Sequence, residues 1–198
     1  MEAVMGVLLG IGLGAACGFR IFVPLLVASI AIHGGFLTVT PEFAWLGGTP
    51  ALITLSIATL LEIAGYYLPV IDNTLDVLGA PAAVIAGTIL AAGFIGHMDP
   101  MLQWGLAAIA GGGAAGGIHG GMAAIRAAAS ATTGGLGNSA VSTAETVSAS
   151  LVSILACVLP VLAVLLLGAA IYLLVRFAIS LKRKLAQAGT PDKVEVQD

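Results

Sequence analysis

Apolar residues run along this chain in long blocks instead of alternating with polar ones. The blocks lie at about residues 4 to 32, 50 to 68, 80 to 96, 102 to 126 and 139 to 181, with polar or Gly/Pro-rich breaks between them. Most approach or exceed the ~20 helical residues needed to cross a bilayer core. The pattern predicts an all-α polytopic membrane fold. The last block is too long for one perpendicular span, so either one helix projects well beyond the bilayer or a hairpin turns near Leu159-Pro160, where Pro160 breaks the backbone hydrogen-bond ladder. The hairpin gives six spans, the single helix five. Six is preferred because it places Arg126 on the same side as the basic cluster that follows the last block.

A repeat organises the pattern. Gly12-Leu-Gly-Ala-Ala-Cys-Gly-Phe-Arg20 matches Gly111-Gly-Gly-Ala-Ala-Gly-Gly-Ile-His119 at an offset of 99, which aligns Arg20 with His119. With three spans per half, the copies insert in opposite orientations, as in inverted-repeat transporters. The expected division is residues 1–98, a second half over 99–186, and a polar tail over 187–198, which carries Gly189 and Pro191 and is expected to be disordered.

Composition agrees with the pattern: 59% of the 198 residues are hydrophobic, 9% are charged, and mean hydropathy is +1.10. The net charge is −3, yet Arg176, Lys182, Arg183 and Lys184 cluster after the last apolar block, which predicts a cytoplasmic C-terminus. Glu2 stands where a signal peptide carries basic residues, so the first block reads as a retained span. Cys17 and Cys157 lie in apolar blocks without metal-ligand spacing and read as small buried residues. Neither a P-loop nor a dinucleotide fingerprint nor a basic tract with interleaved aromatics is present, so nucleotides and nucleic acid are not expected partners. No cofactor, metal site or catalytic constellation is expected, since no nucleophile and base fall at interpretable spacing.

The candidate chemistry is carried by a few polar residues inside the apolar blocks. Arg20 is the only charge between Ala3 and Ile32. Its guanidinium stays charged, and leaving it in hydrocarbon costs roughly 2.5 kcal/mol or more, so it either finds an internal partner or cavity or snorkels to an interface. Pro24, four residues on, is a reason for a broken first span. Glu62, near the end of the second block, expects Arg20 or His119 as its partner. His119, between glycines, suits proton coupling or a hydrogen bond across a helix interface. Asp72 and Asp76 have helical i, i+4 spacing that suits either a cation site or a solvated helix start, and His97-Met-Asp-Pro100 reads as a turn. Ser142 to Glu145 fits a capping box opened by Asn138 or Ser142. Gly6, Gly10, Gly14 and Gly18, and again Gly113, Gly117 and Gly121, place bare backbone on one helix face, which suits close packing or, if the backbone unwinds, a substrate cavity.

Ala16-Cys-Gly-Phe-Arg-Ile-Phe-Val-Pro-Leu25, the Glu62 segment leading through Pro69 to Asp72 and Asp76, the stretch from His119 to Arg126, and the Asn138-Ser139 to Glu145 start followed by Pro160 together resemble the domain of unknown function 4126 family. The resemblance covers nearly the whole chain, and Gly-Phe-Arg-x-Phe-x-Pro is its most specific part. It implies a small integral membrane protein of the prokaryotic inner membrane, with no particular substrate or reaction. Where the family pattern adds acidic residues, this chain has Gly65 and Thr146, so a mechanism needing those carboxylates does not carry over. The expected function is a small-solute or ion transporter or channel with Arg20, Glu62 and His119 at the interface of the two halves. The alternative is a non-transporting scaffold whose glycine faces pack partner helices. The expected surroundings are the lipid bilayer and other copies of the chain in a homo-oligomer.

Overall fold

The computed structural model describes residues 2–66, 69–96, 98–134 and 137–188, without the side chains of residues 2, 3, 69–77, 174, 177, 178 and 181–188. Every regular element among the described residues is helical. In order these are α1 (Glu2–Ala16), α2 (Phe22–His33), a 3-10 segment (Pro41–Gly47), α3 (Thr49–Gly65), α4 (Pro69–Phe94), α5 (Pro100–Leu106), a π-helical stretch (Ala107–Gly112), α6 (Gly113–Thr133), α7 (Asn138–Val158) and α8 (Pro160–Ala188). Prolines open the 3-10 segment, α3, α4, α5 and α8, where a missing N–H leaves no intrahelical bond unmade. Asp99 caps α5 by accepting from the Met101 N–H at 2.9 Å, and Gly134, at φ 63°, ends α6 in a left-handed turn.

The first apolar block is two helices, not one. After Ala16 the backbone tightens: the N–H groups of Cys17, Gly18 and Phe19 donate to the carbonyls three residues back, at 3.1, 2.9 and 3.1 Å. The chain then leaves the helix at Arg20 and re-enters at Phe22. Pro24 falls in the first turn of α2, the place a helix tolerates it. The second copy of the repeat behaves differently. From Pro100 to Thr133 the backbone stays helical, and the π stretch is its only irregularity.

At the far end of the sequence, Leu159 (φ −136°, ψ 71°) leaves the helical region between α7 and α8. Ala156 of α7 and Ala163 of α8 both lie within 4 Å of the point where a Cβ on Gly12 would stand. Seven residues of one straight helix would hold them ~10 Å apart along the axis. The two helices therefore fold back on each other at the Leu159–Pro160 step.

α1 runs antiparallel to α4 with almost nothing between the backbones. A Cβ on Gly6 would stand 2.6 Å from the Phe94 carbonyl oxygen, on Gly10 2.8 Å from that of Ala91, and on Gly14 2.7 Å from that of Gly87. The same Cβ on Gly14 would stand 2.9 Å from the Gly111 Cα, and Gly18 lies against Ala115 and Ile118, so three helices cross here on bare backbone. Two glycines of the expected second face, Gly113 and Gly117, do not make the packing contact. A Cβ on Gly113 would meet only its own helix's Ala108 carbonyl, at 3.8 Å, and one on Gly117 would meet nothing within 4 Å among the described residues. The contacts are made by Gly111 and Gly112 inside the π stretch, because an i→i+5 turn carries an extra residue and rotates the face that follows it.

Asn138–Val158 is long and apolar enough to cross a membrane, and the 3-10 segment with α3, bent by 62°, would make a second crossing if taken as one broken span. The other apolar helical stretches among the described residues are shorter. Large apolar side chains nonetheless face outward all round the bundle, Ile57 and Leu61 on α3, Ile85 on α4, Leu151 and Ile154 on α7, and Leu165 and Leu173 on α8.

The seam gives the first test. Gly10→Val should cost about 1–3 kcal/mol through overpacking against the Ala91 carbonyl, whereas Gly117→Ala should be neutral or stabilising by up to ~1 kcal/mol. Thermal unfolding of the purified variants, followed by tryptophan fluorescence, reads both; equal effects at the two positions would contradict the seam.

Candidate functional site

The break between α1 and α2 points Arg20 into the bundle, where it is 1% exposed. Its Nε donates to Thr146 Oγ1 at 3.2 Å, and its Nη2 donates to the Ser142 carbonyl at 2.9 Å and to Ser142 Oγ. The same Nη2 lies 3.6 Å from Glu145 Oε2. Residues 142, 145 and 146 share one face of α7 by helical spacing, so a single turn supplies the whole polar wall. The guanidinium also stacks on Tyr66, with its carbon 3.8 Å from the ring centroid. Arg20 Nη1 is buried and makes no hydrogen bond among the described residues. Snorkelling is thereby replaced by an internal site.

Glu62 does not take Arg20 as its hydrogen-bonding partner, contrary to the sequence expectation. Its Oε1 accepts from the Ile21 N–H at 2.7 Å and its Oε2 from the Phe22 N–H at 3.0 Å. The reason lies in the break: the first amides of α2 have no preceding helical turn to donate to, and a carboxylate there satisfies two of them while meeting the positive end of the helix dipole. Glu62 is the cap of α2, supplied from α3.

Around this pair the remaining polar side chains close in. Arg126 Nη2 lies 2.9 Å from Glu145 Oε1, so Glu145 bridges two arginines, and the Arg126 guanidinium carbon is 4.8 Å from the Tyr66 centroid. A Cβ on Gly79 of α4 would stand 2.8 Å from His119 Cε1 and 3.6 Å from the Tyr66 hydroxyl. The absent side chain at Gly79 is what admits the imidazole. Glu145, Arg126 and His119 are at most 3% exposed.

Three sequence expectations change here. Arg126 is not an interfacial residue marking a membrane side; α6 continues to Thr133, and Arg126 is 2% exposed and ion-paired. Nor do Asn138, Ser142 and Glu145 form a helix cap. α7 starts at Asn138 with Gly137 before it and no side-chain cap, so Ser142 and Glu145 already sit in its second turn and face inward, while Asn138 Oδ1 accepts from Ser130 Oγ at 3.0 Å. The aligned Arg20 and His119 occupy a broken and an unbroken helix respectively, and both are buried. The side chains of Asp72 and Asp76 lie outside the described residues, as does His97. Pro24 is fully buried in α2.

Sequence reasoning missed Tyr66, Gly79 and Thr146. The signal for Tyr66 was present: it follows Glu62 by four residues and so shares its helix face. Thr146 completes the same spacing with Ser142. Nothing local in the sequence marks Gly79.

The cluster predicts an ordered set of penalties. Glu145→Gln strips two buried guanidinium groups of their shared counter-charge and should cost roughly 3–5 kcal/mol. Glu62→Gln keeps one acceptor for the α2 amides and should cost about 1 kcal/mol. Chemical denaturation in detergent would check the ranking, and a penalty at Glu62 equal to that at Glu145 would contradict it.

No functionally curated protein and no solved structure matches the chain. A family model does, the one described as domain of unknown function (DUF4126), over residues 7–180. That range holds the α1–α2 break, the α7 face, both arginines, Glu62, Tyr66 and His119. The chain belongs to the DUF4126 family.

Proposed function

We propose that this is an integral membrane protein in which the buried cluster around Arg20 passes a small ion or solute across a prokaryotic inner membrane. The observation that carries the reading is a permanent cation held inside the bundle at a helix break, with one donor, Nη1, that makes no hydrogen bond among the described residues. A tie serving only to hold helices together gains nothing from a bare buried donor, which costs about 1–3 kcal/mol. A site that takes up a further acceptor, such as a halide or a carboxylate oxygen, needs one. The broken helix whose polar end faces buried charge is also the device by which membrane carriers present backbone at mid-membrane. In this reading the halves 1–98 and 99–186 are inverted three-span units, Glu62 steadies the α2 end, and His119 is placed to exchange a proton. The outward apolar side chains and the 59% hydrophobic composition support a lipid surrounding.

A second reading has its own observation. α6 exposes Gly113, Gly117, Gly120 and Ala124 along its length, which favours a scaffold or homo-oligomer in which another helix packs on that face. Cysteine at position 117 should then form cross-links between copies in native membranes, with cysteine at position 57 as an outward control that does not.

Transport is tested in proteoliposomes under gradients of halides, small carboxylates, alkali cations and protons. Flux of at least one class should fall tenfold or more in Arg20→Gln while the variant still elutes as a folded species. Absence of flux from folded, oriented protein under every gradient would remove the transport reading and leave the scaffold.

A further inference from the structure

A second polar feature lies at the opposite end of α1. A cavity of about 860 Å³ opens where α1 begins, between the segment 36–42, the junction of α4 with α5, and the α7–α8 turn. It reaches no further along α1 than Leu9. Arg20 lies eleven residues beyond, about 16 Å of helix rise, with the Gly10 and Gly14 contacts to α4 between. Cavity and cluster are separate sites.

The volume falls within the ~300–1,000 Å³ of small-molecule pockets. Its depth is apolar: Leu9 and Phe94 are buried core residues, and Met98 packs against the same cluster. Its wall carries a few polar side chains, among them Thr38 and Thr40. Gln103 donates one of its two amide N–H groups to the Ala92 carbonyl at 2.8 Å, which anchors that side chain in the wall. Glu42, exposed at the mouth, is the charged residue among the described residues of the wall. Phe36 also lines the cavity and is 84% exposed, so its ring is open to whatever enters.

We infer that this cavity binds a small amphipathic organic cation, its apolar body against Leu9, Phe94 and Met98 and its positive group at the Glu42 carboxylate on the mouth. An apolar chamber alone would take any apolar molecule. The carboxylate, with an aromatic ring on the same wall, selects for positive charge. The inference goes beyond the transport reading and does not depend on it, because binding is read at equilibrium without a membrane gradient.

The test is equilibrium dialysis of the full chain in neutral detergent, with protein-free micelles as the blank. Three probes of nearly equal shape are used: tetraphenylphosphonium, its anionic isostere tetraphenylborate, and neutral triphenylphosphine oxide. Saturable binding of one phosphonium per chain is expected, at least tenfold tighter than either comparator. Glu42→Gln should weaken it fivefold or more, and Thr38→Trp, which places bulk at the exposed mouth, should weaken it at least as much. Both variants change exposed positions, and each is compared with the parent at equal unfolding temperature. Absence of saturable phosphonium binding, comparable binding of the borate or the oxide, or binding indifferent to Glu42→Gln would each overturn the inference.

Discussion

A guanidinium that cannot lose its proton, enclosed where water does not reach, dictates much of this architecture. Arg20 needs acceptors on several sides, and they come from elsewhere in the chain: one turn of α7 offers a carbonyl, two hydroxyls and a carboxylate, and α3 offers the Tyr66 ring. For the side chain to reach them the helix that carries it has to stop. That break creates a second demand, since the amides opening α2 lose their acceptors, and Glu62 meets it. Glu145 in turn draws in Arg126 from α6. Four helices and one break are thus held in register by a chain of obligations that starts at a single residue.

The bare-backbone seam makes this geometry reachable. Side chains on α1 at positions 6, 10 and 14 would push α4 away and carry the α1–α2 break out of reach of α7. With glycine there, the helices meet at backbone distance and α1 lies at the centre of the bundle, touching α4, α6, α7 and α8. Gly18 continues the same approach onto α6, and two residues later the helix has ended. Packing and chemistry are therefore consecutive on one strand of sequence: close contact through Gly18, then an unwound turn that faces polar groups.

Much of this was legible from the chain. Long apolar blocks meant helices, Pro160 meant a reversal, and an arginine and a proline amid glycines meant an interrupted first block. The pairing was not legible, for physical reasons that can be named. Glu62 looked like the counter-ion of Arg20 because both sit in apolar surroundings, but free amides at a helix start compete for a carboxylate, and where a helix will start depends on the break itself. Ser142 and Glu145 carry the letters of a capping box, yet α7 begins four residues earlier, which turns a cap into a binding face. Gly113 and Gly117 repeat the spacing of Gly14 and Gly18, but the π stretch before them rotates that face outward and gives the contact to Gly111 and Gly112. Periodicity reports faces only while the helix keeps its period.

The two kinds of contact also differ in what they resist. Parting Arg20 or Arg126 from Glu145 strands buried charge, at roughly 3–5 kcal/mol for each broken pair. Sliding or parting α1 along the glycine seam breaks backbone van der Waals contacts, individually about 0.1–0.2 kcal/mol, and disturbs few interlocked side chains. The seam also lies between the cavity at the α1 start and the cluster at the α1 end. If the bundle changes shape, the compliant element is this seam, with the charged cluster moving as a unit. A path that opened the other way, by dissolving the cluster and leaving the seam intact, would spend several times the free energy. The division of labour follows from chemistry alone: charges bind the centre into one body, and glycines leave that body a joint.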